Sequence, residues 1–311
     1  MTWTFSASEI LARAHKPVPL RSQRPHPCPV CGCATQPAGE AVGRRTGRTF
    51  HLQRCMVCGF LFVNDPWTDY AAIYDDAYYR GEGSDPLVDY AREFDAPRKS
   101  VRYYEWRGLE RIARHFLPQG GKWLDFGCGT GGLVRFAKAS GRYDVMGYDS
   151  GSWADKARQA GLPILCESEL DAHAGTFDFV TAIEVLEHLV HPVGALKRMR
   201  ALLKPGGTLF FTTGTTEAAP ADLKKWSYLQ PEIHVSYFNH PSMKVALERS
   251  QFRLQFTKTL PGWTDVVRFK CLKNLGVKKR NLFERVLPWW PISRIVSAKY
   301  HLADYPVGIA R

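Results

Sequence analysis

A glycine-rich loop between two acidic residues is the first feature that could do chemistry. Asp125 ends an apolar run, and Gly127, Gly129 and Gly131 follow it closely. A second apolar run ends at Asp149, twenty residues after Gly129. Glycines let the backbone approach a nucleotide, and the second acid can hold ribose hydroxyls. The pattern therefore predicts a nucleotide cofactor bound between two strand ends.

Asp125 narrows the choice of cofactor. Gly127, Gly129 and Gly132 also satisfy the dinucleotide pattern G-x-G-x-x-G, but that match alone is weak. An acid two residues before the first glycine would repel a pyrophosphate and suits an ammonium or a sulfonium. We therefore expect a cofactor with a cationic group, and not NAD.

Four cysteines form two C-x-x-C pairs. Cys28 and Cys31 are separated from Cys55 and Cys58 by 23 residues, and a glycine follows each pair. Two such knuckles make a closed tetrahedral site that Zn²⁺ favours, with no position left open for chemistry. We predict a structural zinc on these four cysteines, with Cys33 as a spare thiol.

Three segments, residues 123–132, 177–188 and 202–211, together resemble class I S-adenosylmethionine (SAM) methyltransferases in the expected order. The resemblance extends over about residues 100–262. The cysteine pairs and residues 234–238 are similar to a subgroup that carries a zinc ribbon before the methyltransferase domain. The resemblance implies an α/β fold with a Rossmann-like, seven-stranded, mostly parallel sheet.

The resemblance also implies which residues bind SAM. Asp125 would face the methionine ammonium, Asp149 the ribose hydroxyls, and Ile183 the methionine end of the cofactor. Tyr148 and Ser150 would lie beside the adenine, as would the end of the third strand. The implied cofactor-binding residues are Asp125, Gly127, Gly129, Gly131, Tyr148, Asp149, Ser150, Glu167, Ser168 and Ile183.

Four residues are candidates for catalysis. If the turn after the fourth strand is helical, Glu184, Glu187 and His188 share one face. His234 follows a basic and aromatic loop, residues 224–233, that is typical of a substrate lid; the alternative is that His234 caps the next helix. An oxygen or carbon acceptor must lose a proton near neutral pH, which is a role for histidine.

A divalent metal is the alternative for the first three of these residues. The Glu-x-x-Glu-His pattern is similar to that of ubiquinone-pathway O-methyltransferases, which implies Mg²⁺ held against a catecholate-like acceptor. Mg²⁺ prefers oxygen ligands. We therefore favour His188 as a base or orienting group over a metal site.

The positive charge is concentrated in two parts of the chain. The 311 residues carry a net charge of +12, of which residues 1–62 hold +6 and residues 263–303 hold +7. Such segments favour an anionic partner, namely a membrane surface, nucleic acid or a phosphorylated substrate, although ordinary solvated surface would also account for them. Because no leader peptide or membrane-spanning apolar run is evident, we expect a cytoplasmic protein.

The chain divides into four parts with one insertion. We expect a flexible N-terminal segment over 1–27, the zinc ribbon over 28–63, a linker over 64–97 and the methyltransferase domain over 98–311. Alternating apolar runs and helical patterns are typical of a parallel sheet. Strands are predicted near 122–126, 143–148, 162–166, 177–182, 207–213, 252–259 and 305–310.

The insertion, residues 263–303, combines basic residues with apolar ones at helical spacing. It includes the pair Trp289 and Trp290. This composition suits a helix lying peripherally on an anionic membrane. The alternative is a set of helices that pack on the domain or on a second subunit.

These observations favour a SAM-dependent methyltransferase that acts on an oxygen or carbon of a small-molecule, sugar or lipid-linked acceptor. One alternative is an RNA methyltransferase that uses the ribbon and the insertion for binding. Residues 183–186 lack the Asn-Pro-Pro-Tyr type of motif found in base methylases, so nucleic acid is the less favoured partner. The other alternative is a non-catalytic SAM-binding module. The acceptor and the oligomeric state stay open.

Overall fold

The computed structural model describes residues 26–82, 86–257, 260–299 and 305–310. The predicted flexible segment over residues 1–27 therefore lies outside the described residues, apart from its last two.

The described residues form two sheets. The main sheet has seven strands in the order β10-β11-β8-β7-β4-β5-β6. Neighbouring strands from β6 to β8 pair in parallel, whereas β11 pairs antiparallel with both β8 and β10. The prediction of a Rossmann-like, mostly parallel sheet is confirmed. The strands are β1 (Thr35–Val42), β2 (Thr49–Cys55), β3 (Leu61–Val63), β4 (Gly121–Phe126), β5 (Tyr143–Tyr148), β6 (Ile164–Leu165), β7 (Phe177–Ile183), β8 (Leu203–Thr212), β9 (Ser236–Tyr237), β10 (Phe252–Thr257) and β11 (Tyr305–Ala310).

Helices cover both faces of the main sheet. Because a parallel strand is buried on both faces, its side chains are apolar in succession, as in β4, where Trp123 and Leu124 are both fully buried. The helices are α1 (Tyr70–Ile73), α2 (Asp76–Tyr79), α3 (Tyr90–Asp95), α4 (Arg102–Phe116), α5 (Gly132–Lys138), α6 (Ser152–Gln159), α7 (Pro192–Leu202), α8 (His240–Arg249), α9 (Trp263–Asn274), α10 (Leu282–Val286) and α11 (Trp289–Lys299).

The second sheet joins the cysteine module to the main α/β domain. Its order is β1-β2-β3-β9, and each neighbouring pair is antiparallel. β2 and β3 form an antiparallel hairpin around Cys55 and Cys58. The fourth strand, β9, comes from much later in the chain and pairs Tyr237 with Leu61. The ribbon is thus completed by a strand of the main domain.

The segment between the ribbon and α4 is more than the linker that the sequence suggests. It contains α1, α2 and α3, and Tyr78 and Tyr79 are buried. Tyr79 stacks on Trp153 of α6, with ring centroids 5.1 Å apart. The segment therefore packs on the main domain and brings tyrosines to its surface cavity.

The insertion packs mainly against the domain. Helix α9 lies on α4, where the Asp265 carboxylate accepts hydrogen bonds from Arg107 and Arg111. The tryptophan pair divides, since Trp289 is 8% exposed and Trp290 is 64% exposed. Trp289 thus follows the packing alternative, and Trp290 remains on the surface. Within the described residues, every helix is too short or too polar to cross a bilayer.

Candidate active site

One large cavity lies at the carboxyl ends of the parallel strands. Its volume is about 1860 Å³. Asp125, Asp149 and Ile183, which end or follow β4, β5 and β7, all line it. Ligands of open α/β sheets bind at this edge. The cavity exceeds the usual size of a small-molecule site, so it has room for a cofactor and a second molecule.

The glycine loop between β4 and α5 lines part of this cavity. Gly127, Gly129 and Gly131 have φ values of 78°, 52° and 73°, in the left-handed region that favours glycine. A Cβ on Gly127 would collide with the side chain of Val185. The loop thus requires glycine for both its conformation and its close packing.

Asp125 is buried beneath this loop, with 5% of its surface exposed. One carboxylate oxygen accepts a hydrogen bond of 2.8 Å from the Thr181 hydroxyl. Burial raises the pKa of Asp125 to about 7, although the Thr181 hydrogen bond opposes that shift. A cation placed in the cavity would relieve this cost of ionisation.

Asp149 connects the loop to the start of α6. Its two carboxylate oxygens accept hydrogen bonds from the backbone N–H groups of Gly129 at 2.9 Å and Gly151 at 2.7 Å. Burial raises the pKa of Asp149, and these two donors oppose the shift. The carboxylate therefore fixes the loop as well as facing the cavity.

The other predicted cofactor residues fall into two groups. Tyr148, Ser150 and Ile183 line the cavity together with Gly127 and Gly129. Glu167, Ser168 and Gly131 do not. Glu167 accepts the Tyr148 hydroxyl and pairs with Arg198, so it lies one layer behind the wall. The local sequence after β6 gave no signal that distinguishes residues that line the cavity from residues that pack behind them.

His188 and His234 also line the cavity, and their ring centroids are 5.0 Å apart. Nδ1 of His188 lies 2.8 Å from the Ile233 carbonyl oxygen, and Nδ1 of His234 lies 2.8 Å from that of Tyr228. A carbonyl oxygen only accepts, so each neutral ring carries its proton on Nδ1 and keeps Nε2 as an acceptor. Burial, with His188 beside it, lowers the pKa of His234 to about 3.

Glu187 lies beside the two histidines and is 1% exposed. One oxygen accepts a 2.8 Å hydrogen bond from the Thr213 hydroxyl, and the other has no hydrogen-bond partner among the described residues. Burial and the charge of Glu184 raise the pKa of Glu187 to about 8. The shift favours the protonated carboxyl, which can donate a hydrogen bond.

Glu184 does not join this group, because the turn after β7 is not the α-helix on which a shared face with Glu187 and His188 depended. The turn Leu186–His188 is a single 3₁₀ turn, and Glu184 before it has a φ of 55°. Its carboxylate accepts a 2.7 Å bond from Nζ of Lys270 on α9. Burial opposes ionisation, but Lys270 outweighs it and lowers the pKa of Glu184 to about 2.

These contacts bear on the Mg²⁺ hypothesis. The three side chains whose donor atoms lie within 4.8 Å of one another are Glu187, His188 and His234. One carboxyl and two imidazoles are a poor set for Mg²⁺, which prefers oxygen ligands. The residues therefore do not fit Mg²⁺.

Sequence reasoning missed several residues of the cavity wall. Tyr74 lies between α1 and α2, and its hydroxyl is 3.0 Å from Nδ1 of His188. The ring centroids of Tyr228 and His234 are 4.4 Å apart. Lys270 and Lys273 line the wall from the insertion. The tyrosine-rich composition of residues 64–97 was a usable signal. Nothing in the sequence indicated that the insertion reaches the site.

The four predicted zinc ligands converge at the base of the ribbon. The Sγ atoms of Cys28 and Cys58 are 3.6 Å apart, and those of Cys31 and Cys55 are 3.3 Å apart. All four lie within 4.8 Å of one another. Thiolates about 2.3 Å from a tetrahedral Zn²⁺ would be separated by about 3.8 Å. The cluster therefore fits a zinc ion.

Comparison with known proteins bears on the α/β domain. A family model described as a methyltransferase domain matches residues 98–255. A ubiquinone biosynthesis O-methyltransferase of Actinobacillus pleuropneumoniae is 36% identical over 198 residues, covering 58% of this chain and 77% of that protein. The corresponding protein of Methylococcus capsulatus is 35% identical over 115 residues, 34% of this chain and 48% of that protein. The chain thus spans about half the length of several curated relatives that it matches.

Similar solved structures include a phosphoethanolamine N-methyltransferase 2 of Haemonchus contortus in complex with SAM. It is 14% identical, and the match covers 80% of this chain and 61% of that one with a TM-score of 0.47.

Proposed function

Because this chain belongs to the methyltransferase-domain family, we propose that it moves a methyl group from SAM to an oxygen, or a carbon, of a small-molecule, sugar or lipid-linked acceptor. The observation that carries this proposal is a single cavity lined both by Asp125 with the glycine loop and by His188 with His234. Cofactor and acceptor would meet inside it.

We assign the cofactor end as follows. The SAM ammonium would bind the buried carboxylate of Asp125, and its ribose would lie at Asp149. Tyr148, Ser150 and Ile183 would border the adenosine and methionine parts, since all three line the cavity. SAM supplies the electrophilic methyl group, and the residues hold it in place for an in-line displacement.

His188 is the base in this proposal. An acceptor hydroxyl would give its proton to Nε2 of His188, because Nδ1 already donates to the Ile233 carbonyl. The oxygen then forms a bond to the methyl carbon as the bond from that carbon to sulfur breaks. His234 stays neutral because burial keeps its pKa low, so it can orient the acceptor.

Zinc has a structural role in the proposal. Cys28, Cys31, Cys55 and Cys58 would hold one ion, and Phe60 and Phe62 continue the same buried cluster into the main domain. A closed four-cysteine site stabilises a fold and leaves no position for substrate.

The test begins with the acceptor. Methyl-labelled SAM, the purified protein and a metabolite extract are incubated, and labelled products are detected by mass spectrometry. His188→Ala and His234→Ala are then assayed on that acceptor, and we expect turnover to fall about 10²- to 10⁴-fold for the base. His115→Ala, at an exposed position of α4, is the matched control.

Two outcomes would contradict the assignment. If both histidine variants bind S-adenosylhomocysteine normally and keep full turnover, neither residue moves the proton. If chelation abolishes turnover and Mg²⁺ restores it, a metal site replaces the base. Persistent absence of any labelled product from extracts would count against methyl transfer itself.

A further inference from the structure

The tip of the loop between β1 and β2, residues 43–47, contacts Glu232, two residues before His234, and Asp75, which follows Tyr74. We propose that this hairpin tip positions His188 and His234, with Arg45 as its central residue. The inference rests on the proposed function, because it assumes that these histidines serve the acceptor. Arg45 is a positioning residue in this account, since it contacts neither histidine.

The backbone of the hairpin tip binds the Glu232 carboxylate. The backbone N–H groups of Arg45 and Thr46 donate to the Glu232 carboxylate at 3.2 Å and 2.7 Å, and the Thr46 hydroxyl donates at 2.7 Å. A Cβ on Gly43 would lie 2.5 Å from the same carboxylate, so the tip closes around it. Successive N–H groups of this kind make an anion-binding concavity.

Glu232 is buried and lies two residues before His234. The segment after it is tied down on both sides, since the Val235 N–H donates to the Glu187 carbonyl at 2.7 Å and its carbonyl accepts from Val63 at 3.0 Å. Holding Glu232 therefore holds the backbone that presents His234 between Glu187 and the ribbon.

The Arg45 side chain is linked to His188 through Asp75 and its neighbour Tyr74. The Arg45 guanidinium pairs with Asp75 and also donates to the Ile73 carbonyl at 3.4 Å. Asp75 caps α2 by accepting from the Tyr78 N–H at 2.9 Å. The neighbouring Tyr74 places its hydroxyl 3.0 Å from Nδ1 of His188. One residue of the ribbon thus connects to both sides of the histidine pair.

The test uses the full zinc-loaded chain with bound S-adenosylhomocysteine. Arg45→Met removes the ion pair with Asp75. Glu232→Gln weakens the hydrogen bonds that Arg45 and Thr46 donate to residue 232. Arg45→Lys is the conservative variant. Arg48→Met is the matched control, because Arg48 lies on the same hairpin loop but pairs with Asp65, just after β3, and not with Asp75.

Hydrogen exchange should respond locally. We expect residues 70–79 to exchange at least about fivefold faster in Arg45→Met, and residues 226–238 to do so in Glu232→Gln, while residues 143–151 keep their protection. S-adenosylhomocysteine affinity should stay within about twofold of the wild type. Exchange equal to that of Arg48→Met, or acceleration spread over the whole sheet, would overturn the proposal.

Turnover gives the second readout once an acceptor is known. We expect kcat to fall about tenfold in Arg45→Met with KM for SAM unchanged, and Arg45→Lys to recover most of it, because small displacements of reacting groups are costly. A normal kcat would overturn the positioning role. Local exchange changes without any methyl transfer would instead refute the proposed function and leave the contact network intact.

Discussion

The pH dependence of cofactor binding is the sharpest consequence of the buried acid under the glycine loop. Asp125 is 5% exposed, and burial raises its pKa to about 7 in the free protein. The bound cofactor would place an ammonium beside it, which favours the ionised carboxylate and lowers that pKa. Binding is therefore strong above the free pKa and weakens as pH falls through it.

The magnitude follows from the fraction of Asp125 that is ionised. With a pKa of about 7, roughly half of the carboxyl is ionised at pH 7 and about 3% at pH 5.5. The ligand amine stays protonated over that range. The affinity for S-adenosylhomocysteine should thus fall about 15-fold between these two pH values.

Asp125→Asn isolates the effect. The amide keeps the shape but cannot ionise, so the pH dependence should largely disappear, and affinity at pH 7 should fall about tenfold or more with loss of a charge-assisted hydrogen bond. Asp144→Asn is the control, since Asp144 is exposed on the neighbouring strand β5.

Calorimetry across the pH range measures both variants and the wild type. Asp149 also has a raised pKa and faces the same cavity, so the variant is needed to assign the slope. A flat profile in the wild type, or an equal slope in Asp125→Asn, would refute the role given to Asp125.

Three further outcomes can be measured. Metal analysis should return about one zinc per chain, and Cys55→Ser/Cys58→Ser should lose it; full occupancy in that protein would contradict the four-cysteine site. Trp289→Ala should lower the free energy of unfolding by about 3–5 kcal/mol, because Trp289 is buried. Trp290 is exposed, so Trp290→Ala should change the free energy of unfolding by less than about 0.5 kcal/mol. Equal effects in chemical denaturation would contradict the packing described for the insertion. The chain should co-sediment with anionic but not neutral vesicles and lose that binding at high salt, because the basic insertion carries +7; sedimentation with neither type would rule out the membrane contact.

The parallel sheet could be predicted from sequence because its signals are local. Residues 143–148 form a short apolar run bounded by turns, and β5 has these bounds in the structure. β9 has only two residues and no periodicity of its own. Its pairing with β3 depends on a ribbon built far earlier in the chain, so no local pattern could reveal it.

The parts of the candidate site that lie at strand ends could be predicted from sequence, whereas contacts between residues far apart in the chain could not. Asp125 lies at the end of β4, and Asp149 and His188 come after β5 and β7, so their position at one sheet edge follows from topology. The Lys270–Glu184 pair joins residues 86 apart and separates Glu184 from its expected partners. Which face of α9 turns inward depends on its packing against α4, which no local pattern specifies.

The late fourth strand of the ribbon has a consequence for synthesis on the ribosome. Leu61 pairs with Tyr237, which is made 176 residues later. At about 5–20 residues per second, the edge of β3 stays without its partner for roughly 10–35 s. An unpaired strand edge invites association with other chains. Shielding of that edge during translation, rather than final stability, would then limit the yield of correctly folded protein, and expressing residues 26–63 alone would leave the same edge open permanently.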